Sequence, residues 1–506
     1  MRQLLKFLAL SAALLTIAAC GGGGGGSSGS SGSVAPLAQV ATVGIALTDA
    51  PSPEYDQVLA TVTSVQLLGN GAPVTVFSGA ETIDLLRLAG YSELFAVSDQ
   101  VPAGTYNKIR LMLSNLELVT LNPDGTVDKS ITAKLVANGK IDLNPRGPFV
   151  VAGGSTLVIT LDFDVKKSLK IKETGHGQVI VRPVIFVDIA NGQPAPGLTR
   201  IHGLVTIINT DGSLRLCQTA LVSSAFDDNR HGGSDRCVRV STDGNTGVFG
   251  PNGLPEQIAD LTVGEEATVF GRLRPLDDAN DHDDDNDGIN DEDDDNDGRG
   301  DHRVADRNHD GEANERFGLD AYIIEEGLLG TFKRIAGTVT LPVDSATDRF
   351  EFDVAPSQGL IVDGAIAAQL YPKSRIFSAA GVELTRDSLD TGVHAIADSV
   401  LAISNGEADV LRTALVTVDD VTVGETAVSG SVLSVNGNSL RMSTATGDRC
   451  VQAETADIFL IDESHGSLES TRGSLADLQS GQHINVFGTE GIGGCVIADT
   501  ILAQVD

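Results

Sequence analysis

The chain has no tryptophan and three methionines, and aromatic residues make up 4% of its 506 positions. Sites that stack rings on sugars or bases therefore have few platforms here. Basic residues are scarce too: 35 Lys and Arg stand against 69 Asp and Glu, a formal net charge of −34. That balance repels a phosphate backbone or a bare anionic membrane and argues against nucleic acid as a partner. Long helical periodicity is missing. So are His-Glu-x-x-His, Gly-x-Ser-x-Gly, a Walker loop and a Gly-x-Gly-x-x-Gly after a strand. Beyond residue 20 no apolar run is long enough to span a bilayer.

What is present is β pattern. Val, Ile, Leu and Thr recur in short alternating runs broken by Gly, Asn and Asp, which predicts an all-β chain. At this length several domains are expected.

The first 20 residues read as a secretory signal. Arg2 and Lys6 supply the positive start, and Phe7 to Leu15 a short apolar core. The ending Ile17-Ala18-Ala19-Cys20 resembles a bacterial lipobox, which implies cleavage before Cys20 and acylation of that residue. Several acyl chains give lasting membrane attachment, where a single chain is marginal. Residues 21–41 begin Gly21 to Gly26 and continue in Ser and Gly, the composition of a coil tether. Gly21 stands where an inner-membrane lipoprotein would carry aspartate, so the envelope location expected is the outer membrane. Export agrees with the other four cysteines, none in a Cys-x-x-Cys knuckle. Pairing Cys217 with Cys237 and Cys450 with Cys495 is the expectation, with other connectivities open.

The strongest chemical signal lies between Asp281 and Asn314. One phrase occurs there three times: Asp283-x-Asp285-x-Asp287-Gly288-x-x-Asp291, then Asp293-x-Asp295-x-Asp297-Gly298-x-x-Asp301, then Asp306-x-Asn308-x-Asp310-Gly311-x-x-Asn314. Alternate oxygen side chains converging on one ion, with glycine at the sharp turn, are what a calcium loop needs. A hand-type loop would carry Glu at position 12, where Asp294, Val304 and Phe317 stand instead. The spacing resembles the thrombospondin type 3 repeats, which implies a structural calcium site of roughly 10⁻⁴ to 10⁻³ M affinity. The plainer reading is a solvated acidic run. His282, His302 and His309 fall in the same stretch and are poor calcium ligands. His231 lies in a separate polar stretch between Cys217 and Cys237.

Residues 42–192 carry five ordered phrases: Leu47-Thr48-Asp49-Ala50-Pro51, Tyr55-Asp56, Pro102-Ala103-Gly104-Thr105-Tyr106, Leu161-Asp162-Phe163-Asp164 and Arg182-Pro183-Val184-Ile185. Together they resemble the lipoprotein family catalogued as domain of unknown function 4382. That resemblance implies a carbohydrate-binding-like β-sandwich with no established activity.

The remainder repeats. Modules at 200–330, 333–419 and 426–506 open with Ile201-His202-Gly203, Ile335-Ala336-Gly337 and Val428-Ser429-Gly430. The first and third share Asp-Leu-x-x-Gly at 260 and 477, and Val-Phe-Gly at 269 and 486. They resemble the family catalogued as domain of unknown function 5666, which implies small OB-like barrels. Aligning modules one and three makes residues 277–316 an insertion in the last hairpin of the first barrel.

The expected role is a non-enzymatic, calcium-stabilised binding, scaffold or adhesion module, anchored to the membrane through Cys20, whose partner is an envelope protein or polysaccharide. The alternative is a carbohydrate-binding or glycan-processing accessory protein with Tyr55 and Tyr106 as ring platforms. Asp162 and Asp164, two apart and joined by Asp49 and Asp56, are the candidate acid–base carboxylates. The competing reading has them capping turns and meeting Lys166, Lys167 or Lys170.

Overall fold

The computed structural model describes residues 39–505, except 50–54, 123, 146, 169–179, 182, 192, 196, 219–236, 277–315, 355–364, 404–408, 419–424, 464–465 and 492. Most of it is strand, with one α-helical turn at Val165–Ser168 and short 3-10 turns between strands among the described residues. The all-β expectation, a sandwich followed by three barrels, holds.

One sheet of the sandwich runs in the order Ile185–Asn191, Thr156–Phe163, Val40–Asp49, Ser92–Pro102. The facing sheet runs Lys140–Leu143, Gly104–Leu121, Gln57–Gly69, Val74–Asp84. Burial follows the sequence pattern. Gln57–Gly69 alternates polar and apolar, and its buried residues alternate with half-exposed ones, as in a sheet with one wet face. Val40–Asp49 is nearly all apolar and is buried on both faces. Val43, Ile45 and Leu47 enter the sandwich core, while Ala46 joins a second core with Leu214, Val240 and Phe317 of the first barrel.

Each barrel closes with five strands in the order 1-2-3-5-4-1, strands 3 and 5 parallel, as in OB-like topology. In the first these are Thr199–Ile208, Leu214–Gln218, Cys237–Ser241, Glu266–Pro275 and Phe317–Glu326. In the second they are Lys333–Asp344, Arg349–Val354, Ala365–Ser378, His394–Ala402 and Val410–Val418. In the third they are Glu425–Asn436, Ser439–Thr444, Gly447–Gln452, His483–Glu490 and Val496–Val505.

The repeat extends to backbone irregularities. Strand 1 of each barrel has a bulge, after Val205, Val339 and Val432. The carbonyl of each of those valines accepts the N–H of a left-handed glycine, Gly264, Gly392 or Gly481, at 2.8 Å. Strand 5 carries an extra residue, Tyr322, Ala414 or Asp499, opposite Phe270/Gly271, Asp398/Ser399 and Phe487/Gly488 of strand 4. A Cβ on Gly271 or Gly488 would lie 2.3 or 1.9 Å from a backbone carbonyl oxygen of strand 5, so those positions need glycine.

Barrels one and three each extend one sandwich sheet. Thr199 and Arg200 pair in parallel with Ser92 and Glu93, making an 11-stranded sheet. Leu468–Ser470 of barrel three pair in parallel with Ile141–Leu143, making one of 13 strands. Barrel two keeps its own 6-stranded sheet.

Both expected disulfides are formed. Cys217–Cys237 ties strands 2 and 3 of barrel one, and Cys450–Cys495 ties strand 3 of barrel three to the start of strand 5. Sequence separations of 20 and 45 correspond to about 3 and 4 kcal/mol of chain-entropy stabilisation. In barrel one, strands 4 and 5 pair from Ala267↔Glu326 out to Pro275↔Phe317, and Leu276 N–H donates to Arg316 O at 3.0 Å. The acidic segment thus starts and finishes at one hairpin end.

Candidate functional site

The sandwich, barrel one and barrel two meet around Tyr91, which follows a short 3-10 turn at Leu85–Leu88. Its ring is 2% exposed. The Arg200 guanidinium carbon lies 4.6 Å from the ring centroid and that of Arg334 4.2 Å, with Phe270 edge-on at 5.5 Å. Each cation has an anionic partner. Arg200 pairs with Glu93, and Arg334 Nη1 donates to Asp398 Oδ2 at 2.9 Å while Nη2 donates to Ala89 O.

The repeat explains how two arginines arrive together. Arg200 pairs with Phe270 across strands 1 and 4 of barrel one, and Arg334 with Asp398 at the same places in barrel two. Barrel three has Ala427 and Phe487 there. One register position thus supplies a cation in two barrels and a small apolar group in the third.

Glu325, 4% exposed, completes the cluster. Burial and then the Asp398 carboxyl push its pKa well above the usual range, and Arg200 and Arg334 pull it back. Burial also raises Asp398, against the pull of Arg334, Arg200 and Arg87. The Arg200 guanidinium is lowered chiefly by burial. Among the described residues Tyr91 Oη, Glu325 Oε1 and Arg334 Nε are buried without a hydrogen-bond partner. Arg87, Arg200, Glu325, Arg334 and Asp398 line a small cavity of about 20 Å³. That is room for one or two waters, not for an organic substrate.

Of the residues named from sequence, Cys20, His231, His282, His302, His309 and all twelve calcium candidates, Asp283 through Asn314, lie outside the described residues. Tyr106 is 6% exposed, stacked on Phe149 at 5.8 Å, with its hydroxyl donating to Pro102 O at 2.7 Å. Its ring belongs to the sandwich core. Tyr55 is half-buried against the same core.

Three of the four aspartates, Asp49, Asp56 and Asp164, bind backbone or lysine. Asp49 Oδ1 accepts Val165 N–H at 3.0 Å, and Asp56 Oδ2 accepts Leu121 N–H at 2.7 Å. Asp164 accepts Lys167 N–H at 2.8 Å and pairs with Lys167 Nζ. Asp162 is pushed to about 6 by burial, then by Asp164, with Lys167 opposing. Asp49, Asp56 and Asp164 thus stand in the turn-capping arrangement, with Lys167 as the lysine met.

With that geometry in hand, the comparisons fall on one part of the chain. Residues 40–183 match the family described as Domain of unknown function (DUF4382). The match covers most of the sandwich and stops before its last strand, Ile185–Asn191, and before the barrels. Among curated proteins none matches.

The Tyr91 cluster escaped the sequence reading because its members are spread from residue 91 to residue 398 and share no motif. One signal was legible. Arg200 and Arg334 each stand immediately before the repeated opening phrase of their module.

Proposed function

We propose that this chain is a lipid-anchored protein of the bacterial envelope, non-enzymatic, acting as a rigid binding or scaffold module stiffened by calcium. Cys20 carries the anchor, outer-membrane sorting follows from Gly21, and the partner is an envelope protein or polysaccharide. The barrels are read as domain of unknown function 5666 modules and the acidic insertion as thrombospondin type 3-like calcium loops.

The observation that carries this reading is the threefold acidic phrase at the end of a single hairpin. Carboxylates packed that densely repel one another unless a hard cation intervenes. Supporting it are two disulfides and two sheets that run across domain boundaries, which suit a stiff body displayed outside the cytoplasm.

The test is calcium titration of the Cys20→Ser chain by calorimetry and thermal melting. Heat of binding and a melting point that falls on chelation support the reading. A flat titration and a melting point indifferent to chelator reject the calcium part. Membrane fractionation of the wild type against Cys20→Ser tests the anchor.

A further inference from the structure

The cavity beside Tyr91 has donors without acceptors and a surplus of positive charge. Arg334 gives Nη1 to Asp398 Oδ2 and Nη2 to Ala89 O, which leaves its Nε–H buried with no partner among the described residues. Glu325 Oε1 is buried and unpartnered as well. Both residues line the cavity, the Arg334 side chain 9% exposed and Glu325 4%. A buried donor on a cation is strongly unfavourable without an acceptor. Arg200 is paired with Glu93 and Arg334 with Asp398, so those four charges cancel. Arg87 is not cancelled: it stands exposed at the cavity rim and acts on both Arg200 and Asp398. Asp84, which also feels Arg87, lies outside the cavity lining and is pushed up to about 6 by burial. Burial, then the Asp398 carboxyl, keep Glu325 protonated, so it enters as a neutral O–H donor and three guanidinium groups face two carboxylates.

We infer that this cavity is a binding site for one halide-sized anion, chloride, held between barrel one and barrel two. Room for one or two waters excludes a carboxylate or phosphate ligand, whereas a monatomic anion takes about the place of one water. Arg334 Nε–H and the Glu325 O–H donate to the ion, and its charge balances Arg87. A water accepts from the same two donors but leaves the surplus positive charge in place. Phe270 and Phe332 supply apolar wall. A wall of that kind strengthens the pairing of ion and guanidinium and disfavours fluoride, the halide that water holds most firmly. Glu325 lies on strand 5 of barrel one and Arg334 on strand 1 of barrel two, so the bound ion bridges the two barrels. This inference is independent of the anchor and of the calcium loops.

The test is thermal melting of the full chain in chelator at constant ionic strength, with gluconate replaced by fluoride, chloride or bromide, together with crystals grown in bromide. The expected result is a midpoint raised by about 2–4 °C in bromide over gluconate, as for a ligand at about ten times its dissociation constant. Chloride should follow bromide, and fluoride should add nothing. General salting effects run in the opposite order, so they cannot imitate this result. The crystals should show an anomalous bromide peak between Arg334 and Glu325. Arg87→Gln changes an exposed side chain, leaves folding intact and should lose most of the bromide gain. Glu325→Gln keeps a neutral donor and should retain the gain. Equal midpoints in bromide and gluconate overturn the inference, and so does a cavity peak that scatters as water. A gain undiminished in Arg87→Gln, or lost in Glu325→Gln, overturns it too.

Discussion

Arg334, from the second barrel, holds its guanidinium carbon 4.2 Å from the ring centre of Tyr91, from the sandwich. With Arg200 at 4.6 Å, one aromatic ring gathers cations from two barrels, so three domains share one buried contact. A cation over a desolvated ring contributes on the order of 0.5–2 kcal/mol. Removing one partner of a buried ion pair, such as Arg334 with Asp398, costs about 3–5 kcal/mol.

Tyr91→Ala should therefore destabilise the protein by about 3–5 kcal/mol, the range for truncating a buried aromatic. Tyr91→Phe should stay within about 0.5 kcal/mol, because the ring carries the contacts and the hydroxyl has no partner among the described residues. Chemical denaturation of both variants decides it, and equal losses would refute the ring's role.

Stability should respond to pH through the raised carboxyls. Glu326 is pushed from 4.5 to about 8 by burial and then by hydrogen bonds with Glu265 and Glu256. A raised folded pKa gives stability that is complete below pH 4.5 and is lost as pH rises through about 8. Glu325 acts in the same direction. Melting temperatures between pH 4.5 and 9 should fall more steeply for the wild type than for Glu326→Gln. Parallel profiles would show that Glu326 contributes nothing to the slope.

Calcium should raise the melting point. At 10 mM, with dissociation constants of about 10⁻⁴ to 10⁻³ M, each site adds about 1.4–2.7 kcal/mol. Asp287→Ala combined with Asp297→Ala should remove much of that gain while leaving the melting point in chelator unchanged. A variant as calcium-responsive as the wild type would locate the ions elsewhere.

Gly488→Ala should cost about 1–3 kcal/mol, since its Cβ would meet the Ile497 carbonyl oxygen at 1.9 Å. Gly481→Ala tests the partner feature, a left-handed backbone with φ of +88° and open space around it. There the loss should come from backbone strain and be nearer about 1 kcal/mol. Equal melting points for Gly488→Ala and the wild type would mean that the strand 5 bulge opposite it relaxes around a methyl group.

The sequence by itself determined the local choices. Alternating apolar runs made strands, and glycines at 264, 392 and 481 marked the same turn in three barrels, because only local backbone sterics decide such a position. Two cysteines in each of two modules made pairing within the module the expectation, which both disulfides follow, although the sequence left other connectivities open.

Tertiary structure decided the relations between domains. Nothing local in Ser92–Glu93 or Ile141–Leu143 announces a parallel partner from a barrel, since an edge strand's backbone accepts any strand of suitable register. The same holds for Tyr91, whose value lies in two arginines brought from separate barrels. Tyr106 had the better motif, yet the fold turned its ring into the core. Burial and long-range register are properties of the assembled chain, and no window of sequence contains them.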